Sequence, residues 1–546
     1  MRLVHSQTLE FKEFFNSETT PPYAILSHTW GSDEVTFKEM RKYQKAERQR
    51  DASRLPEGND HEPAVSPEIE ARDGFRKIRF CAKQAVKDRL DYFWVDTCCI
   101  DKTSSAELSE AINSMFRWYK DSNVCYAYLS DIDDAVFFDG KWHSSEYDKA
   151  RAITFSSWFS RGWTLQELIA PRKVLFYTAD WSEIGEKTTP DMCLVICQRT
   201  QIPRLVLKTG NFSTSSVATR MSWAASRRTT RVEDRAYSLL GLFGIHMPLL
   251  YGEGEHAFVR LQQEIVKHSD DLSIFAWKDP GADEYVYRGL LARSPSEFAE
   301  SRDFGWDRVV IYRNLQVTDK EIKLDVALQA LESSSEDYIA LLPGVCFKDG
   351  LKWVGIYLRK TPEGDFTRVN VMEVVFFDDD RVLPGPGYDE NHNPVGDFRT
   401  VSVRHIPIFS KSSLSRVREI TVTKGNNEMD SALIEVRPEE GWDEESSTFH
   451  FEKIDGSGTK PTAAFISFFF LNSSVMTIPV DLGKDLDACT ILNESWSLRY
   501  KKDKYDGFNC WYRNVQSERA AARVELTLVL RGDTCALDVT VTSAWL

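Results

Sequence analysis

Between residues 23 and 177, short apolar runs alternate with amphipathic segments, and this alternation narrows the fold more than any other feature of the chain. Tyr23 to His28 is an apolar run entered from Pro21-Pro22, which predicts a buried strand leaving a turn. From Gly74 to Arg89, Phe75, Ile78, Ala82 and Ala85 recur at helical spacing. Tyr92 to Val95 reads as a strand ending on Asp96. A helix is predicted from Ser105 to Tyr119, with Leu108, Ile112, Met115 and Phe116 as its apolar stripe. Val124 to Leu129 is another strand, closed by Ser130 and Asp131, and Val174 to Tyr177 a further one. Strand, helix, strand, helix, strand predicts a parallel sheet with right-handed crossovers. Such sheets bind ligands at the carboxyl ends of their strands. Three polar clusters fall there: Ser27 to Asp33, Asp96 to Asp101, and Ser130 to Asp134.

The rest of the chain reads differently. Residues 41–72 are densely charged and contain Pro56, Gly58 and Pro63, so a solvated insertion is expected, its Lys/Arg cluster extending a helix. Residues 187–277 read as mostly helical, including Asp234 to Phe243 and Gly254 to His268. From 278 onward short alternating runs dominate, such as Val309 to Tyr312, Ala340 to Leu342, Val371 to Phe377 and Arg523 to Leu530. Turn signals separate them at Pro384 to Gly387, Asp455-Gly456 and Asp506-Gly507. That texture predicts an antiparallel β sandwich or barrel. The expected domains are 1–186, α/β with the insertion 41–72; 187–277, a helical extension; and 278–546, β-rich.

A net charge of −15 argues against a nucleic-acid partner, because a phosphate-backbone binder carries a basic excess. The N-terminal MRLVHSQTLEFKEFF has no apolar signal core, and the longest apolar run, near Ala463 to Leu471, is too short to span a bilayer. A soluble cytoplasmic protein is expected. The 10 cysteines include no CxxC pair, and Cys193 and Cys197 have no second ligand pair nearby. Buried thiols are expected, and no metal site. Tyr251-Gly252-Glu253-Gly254-Glu255 lacks the phosphate-loop spacing and its carboxylates repel phosphate, so it reads as a turn before a helix.

Four ordered blocks carry a family resemblance: AILSHTWG, FWVDTCCIDK, SSAELSEAINSMFRWYKDSNVCYAYLSD and SRGWTLQELIAP. Together, from about residue 24 to 171, they resemble the fungal heterokaryon-incompatibility (HET) domain. The stretch RVEDRAYSLLGLFGIHMPLLYGEGEHAFVRLQQEI looks like the helical segment that follows this domain in incompatibility proteins. The resemblance implies a cell-death effector of fungal non-self recognition, a form of fungal innate immunity. HET domains are distant relatives of TIR domains, which implies a TIR-like, flavodoxin-like parallel sheet. Some TIR domains cleave NAD at the nicotinamide–ribose bond with one glutamate, carried in a Trp-Cys-x-x-Glu helix. Here Trp163-Thr164-Leu165-Gln166-Glu167 keeps the Trp and the Glu and departs at Thr164.

Glu167 is therefore the candidate catalytic residue. Cleaving an N-glycosidic bond builds positive charge on the ribose, which a fixed carboxylate stabilises. Nicotinamide leaves neutral, so no strong acid is needed and no cofactor is required; NAD is the implied substrate. Ser27, His28, Trp30 and Asp33 follow the first strand, where TIR domains place ligand contacts, and Asp96 and Asp101 flank the second strand end. Trp30 or Trp163 suits stacking on a base or on the nicotinamide ring, and Arg161 suits a pyrophosphate. Each has a plainer reading: Glu167 as an ion pair with Arg161 or Arg172, Trp163 as core, Trp30 as a turn indole, Asp96 as a cap, His28 as a satisfied structural histidine. Cys98 with His28 as base is the weakest nucleophile reading, and Arg231, Glu233, Asp234 and Arg235 read as salt bridges bracing the helical segment. The alternative function is a non-catalytic module that self-associates into an oligomer and recruits death machinery. In both readings the β-rich part restrains the effector or senses an unknown protein trigger.

Overall fold

The computed structural model describes residues 1–53, 66–132, 153–282 and 288–306, parts of 315–404, and strands between 417 and 544. Two compact units emerge: Met1–Trp277 with Ala292–Trp306, and Lys278–Leu291 with Asp307–Leu546. The expected positions 54–65, Asp134, Val309 to Tyr312, Pro384 to Pro386, Asp455-Gly456 and Asp506-Gly507 lie outside the described residues.

The first unit is built on a seven-stranded sheet. Its strands are β1 (Arg2–His5), β2 (Phe11–Glu13), β3 (Tyr23–His28), β4 (Tyr92–Trp94), β5 (Val124–Tyr128), β6 (Val174–Tyr177) and β7 (Glu183–Glu186), in the order β2-β1-β4-β3-β5-β6-β7. The inner four are parallel: Ile25 of β3 stands opposite Trp94 of β4 and Cys125 of β5, and Cys125 opposite Val174 of β6. All six residues of β3 are buried, as a strand covered on both faces must be. The outer pairings, β1 with β2 and β4, and β6 with β7, are antiparallel, so the sheet is mixed at its edges and parallel at its centre.

Helices α1 (Phe37–Ser53), α2 (Ser66–Glu70), α3 (Asp73–Lys87), α4 (Ser105–Asp121) and α5 (Thr164–Ile169) accompany these strands. Phe75, Ile78, Cys81, Ala82 and Ala85 are the buried stripe of α3. In α4 the buried stripe is Ala111, Ile112, Met115, Trp118 and Tyr119, rotated from the expected one; Leu108 and Phe116 are half-buried. Ser104 caps α4 by accepting from the Glu107 amide at 3.3 Å, and Glu107 takes Arg2 of β1 at 2.7 Å. The expected solvated insertion needs correction over 41–53. That segment belongs to α1, whose Met40, Tyr43 and Ala46 are buried at three-residue spacing beneath the charged face.

After β7 come α6 (Pro190–Thr200), α7 (Arg204–Thr209), α8 (Val217–Ser222), α9 (Asp234–Tyr237), α10 (Leu240–Phe243) and α11 (His256–His268), then strand β8 (Phe304–Trp306). The helix expected over Asp234 to Phe243 is two short ones, because the Leu239 amide reaches back only to Ala236 and the four-residue ladder breaks. Residues 251–255 form the expected turn: Glu233 accepts the amides of Gly252 (2.7 Å) and Gly254 (3.1 Å), both at positive φ. Tyr251 donates to Asp234 at 3.0 Å, and Arg231 lies over the Tyr251 ring, so Arg231 to Asp234 brace this turn.

The second unit contains β9 (Leu315–Val317), β10 (Glu321–Ala330), β11 (Asp337–Phe347), β12 (Lys352–Lys360), β13 (Phe366–Arg368), β14 (Val375–Asp378), a small hairpin of β15 (Gly387–Tyr388) and β16 (Pro394–Val395), and β17 (Phe398–Arg404). Strand β10 pairs β11, β11 pairs β12, β12 pairs β13, β13 pairs β17, and β17 returns to β10. This closes a five-stranded barrel and leaves none of the five with a free edge. Alternate residues fill it: Ile322, Leu324 and Val326; Val354, Ile356 and Leu358; Val401 and Val403. Strands between Val417 and Ala544 form a seven-stranded and a three-stranded sheet, with Ala520–Arg531 in the first and Ala463–Phe469 in the second.

Candidate functional site

At the carboxyl ends of β3 and β4, Ser27 and Asp96 act on one buried carboxylate. Ser27, at the end of β3 and fully buried, donates its hydroxyl to Glu167 Oε2 of α5. The Trp158 indole N–H in turn donates to Ser27 Oγ at 2.8 Å. An indole nitrogen only donates. Ser27 therefore receives from Trp158 and turns its own proton toward Glu167. No described residue donates to the other carboxylate oxygen, Oε1.

Burial lifts the Glu167 carboxyl from its ordinary 4.5 to about 8; the Ser27 hydrogen bond opposes this, Asp96 adds to it, and Arg161 and Arg227 pull it down. Glu167 is mainly protonated at neutral pH. Arg227 is pushed down to about 9, first by burial and then by Arg199, while Glu167 works the other way. Its Nη1 donates to the Arg161 carbonyl at 2.9 Å and to Thr164 at 3.0 Å, and its enclosed Nη2 has no hydrogen-bond partner among the described residues. Lys187, fully buried, donates to the carbonyls of Leu168 and Pro171 and so caps the carboxyl end of α5.

A second group of charges lies beside this. Trp30, half exposed, donates its indole N–H to Asp96 Oδ2 at 2.7 Å. His28 Nε2 is enclosed between Glu34 (3.6 Å) and Asp96 (3.9 Å), beyond hydrogen-bond reach of either. Burial works to raise the Glu34 carboxyl, yet His28, the Gly31 amide and Lys77 together hold it at about 2. The loop that carries Glu34 rests on α3 at Gly74. A Cβ there would sit 2.7 Å from Asp33 O and Glu34 Cα and 2.8 Å from Val35 N. These are backbone atoms and cannot swing aside. Gly74→Ala is expected to lose about 1–3 kcal/mol of stability, read as a lower denaturant midpoint at unchanged slope.

The remaining expected residues lie apart from Glu167 in their bonding. Asp33 is exposed, with Arg72 Nε at 3.4 Å. Asp101 accepts the amide (3.0 Å) and hydroxyl (2.6 Å) of Thr103, holding its own loop. Trp163 is half-buried and lies close enough to Asp234 to favour its ionised form. Arg161 lies close enough to Glu167 to act on its charge. Cys98 is not a nucleophile: it is fully buried and its thiol is raised well above the ordinary range, first by hydrogen bonding with Cys99 and then by burial. Sequence reasoning missed Trp158, Arg227, Glu34 and Lys102. Among the described residues, a cavity of about 310 Å³ lined by Tyr23, Asn123 and Arg117 lies at the amino ends of β3 and β5, opposite this site.

The heterokaryon-incompatibility (HET) family matches residues 23–141, and a domain of unknown function (DUF8212) matches 256–307. This chain carries a HET domain. Vegetative incompatibility protein HET-E-1 of Podospora anserina is 44% identical over 286 residues, which cover 50% of this chain and 18% of that relative. No solved structure matches the chain. The matched HET segment holds Ser27, His28, Trp30, Glu34, Asp96 and Asp101, whereas Trp158, Arg161, Trp163 and Glu167 lie beyond its end. The Ser27 hydroxyl bonds Glu167 across that boundary. Among the described residues, no cluster of His, Cys, Asp or Glu is set to hold a metal, and no helix is long and apolar enough to cross a membrane.

Proposed function

We propose that this chain is an effector of fungal vegetative incompatibility whose HET domain triggers cell death by hydrolysing NAD at the nicotinamide–ribose bond. The observation that supports this reading is the buried Glu167, bonded to Ser27 at the carboxyl end of a parallel strand. The likeness to TIR domains, in sheet and in the Trp163/Glu167 spacing, is part of the same proposal. Thr164, the departure from the TIR pattern, is buried and spends its hydroxyl on the carbonyls of Trp158 and Arg161. It shapes the turn into α5, so the departure leaves the carboxylate in place.

In the reaction, the bond between ribose C1′ and the pyridinium nitrogen breaks, and its electron pair leaves with neutral nicotinamide. The positive charge passes to the ribose ring, and ionised Glu167 beside it lowers the energy of that state. Water adds to C1′ and loses a proton, giving ADP-ribose. The working form is the anion, so kcat/KM for NAD is expected to rise with pH and reach half its plateau near pH 8. Ser27→Ala removes a hydrogen bond that stabilises the anion. Its midpoint is expected to move upward by about one unit, measured as nicotinamide release between pH 6 and 10. An unmoved midpoint would separate Ser27 from the chemistry.

The second reading is a self-associating HET domain that recruits death machinery without catalysis. Full killing with intact NAD by a Glu167→Gln chain would establish it over the first.

A further inference from the structure

The hydrolysis reading makes no use of Lys102. Its Nζ stands 3.3 Å from the centre of the Trp30 ring, a close cation–π contact. Among the described residues Lys102 makes no ion pair, although it lies on an exposed loop where a long side chain has many alternatives. The ring itself is held: its N–H bonds Asp96 at 2.7 Å, and Trp30 keeps 48% of its surface exposed. A carboxylate on the indole N–H pushes electron density into the ring and deepens the negative potential of its face. Burial pushes the Lys102 ammonium below its ordinary range, and Asp96 and Glu34 oppose this loss of charge without touching it. The result is a flat, preorganised surface that favours a single positive charge.

We propose that the exposed face of Trp30 is a seat for a flat aromatic cation, the pyridinium ring of an oxidised pyridine nucleotide, and that Lys102 occupies the seat when no ligand is bound. This rests on the NAD reading and names the residue that selects the oxidised ring. A pyridinium combines positive charge with a planar face, so it covers the indole more fully than an ammonium does. The neutral, puckered ring of a reduced nucleotide gains neither advantage. Lys102 has a flexible stem and leaves without moving the backbone.

The test uses the full chain and 1-methylnicotinamide, a pyridinium cation with no ribose bond to cleave, beside neutral nicotinamide. Binding is followed by ligand-observed NMR. Wild type is expected to prefer the cation. Lys102→Ala removes the competitor and is expected to bind it about fivefold tighter, with nicotinamide little changed. Trp30→Leu should lose the preference and Trp30→Phe should keep it. In the Trp30→Leu/Lys102→Ala pair the fivefold gain should vanish, which separates a freed seat from a simple loss of positive charge. Equal binding of the two compounds, no binding of either, or a gain that survives in the double variant would overturn the seat. None of these outcomes depends on catalysis; failure of the NAD reading shows instead as NAD that persists in the presence of wild-type chain.

Discussion

Glu167→Gln is expected to lower NAD hydrolysis by at least about 10³-fold while making the first unit more stable above neutral pH. The two effects have one cause. Folding places Glu167 where its carboxyl holds a proton up to about pH 8, against about 4.5 when it is free. The folded chain therefore binds more protons than the unfolded chain across that interval, and stability falls as pH rises through it. The contribution is fully present below 4.5 and is lost through about 8; the whole interval is worth about 5 kcal/mol. Gln keeps an acceptor for Ser27 and never ionises. Its melting temperature should match wild type near pH 5 and exceed it at pH 9. Lys187 also titrates near pH 8, pushed there by burial, so the difference between variant and wild type is the quantity to follow. A variant that loses activity but shows no stability gain at pH 9 would mean Glu167 is already ionised in the fold, and the pH–rate midpoint near 8 would fail with it.

How far this site was legible in the sequence depends on how local each signal is. Tyr23 to His28 declared itself because both faces of β3 are buried, leaving an unbroken apolar run. Helices α3 and α4 were legible from apolar spacing, and Glu167 from its interval after Trp163. The edge strands were not. In β1 only Leu3 and Val4 are buried, and four residues hold too few alternations to stand out. The buried face of α1 was hidden by charge, although Met40, Tyr43 and Ala46 at intervals of three were a usable signal. Trp158 reaches Ser27 across 131 residues of sequence, and Arg227 reaches Thr164 across 63. No short-range pattern encodes a contact of that kind. The one available hint was the polar setting of Trp158 between serines, where an indole N–H finds a partner.

A chain ending at Trp306 is expected to fold, and a chain ending at Trp277 to lose most of its soluble yield, although the change of sequence texture falls near 278. The reason lies in what Ala292–Trp306 supplies to the first unit. Phe298 is fully buried and Phe304 nearly so, and the turn Pro295–Phe298 packs on α8. Gln262 of α11 holds both the carbonyl (2.7 Å) and the amide (2.9 Å) of Ala292. Ser216 donates to the Phe304 carbonyl at 2.5 Å, and Thr219 reaches the carbonyls of Phe304 (2.9 Å) and Arg302 (3.1 Å). Each buried Phe is worth about 1.5–3 kcal/mol, and each buried polar group left without a partner costs about 1–3 kcal/mol. Together these match the roughly 5–15 kcal/mol that holds a domain folded. Soluble yield and thermal melts of residues 1–277 and 1–306 decide the point; equal melting temperatures would mean that 292–306 is dispensable. The same comparison makes the question of restraint answerable. Loss of killing by 1–277 would report unfolding and not regulation, so only 1–306 can be set against the full chain. Stronger killing by 1–306 would assign restraint to the strand-rich unit, and equal killing at equal abundance would remove that role from it.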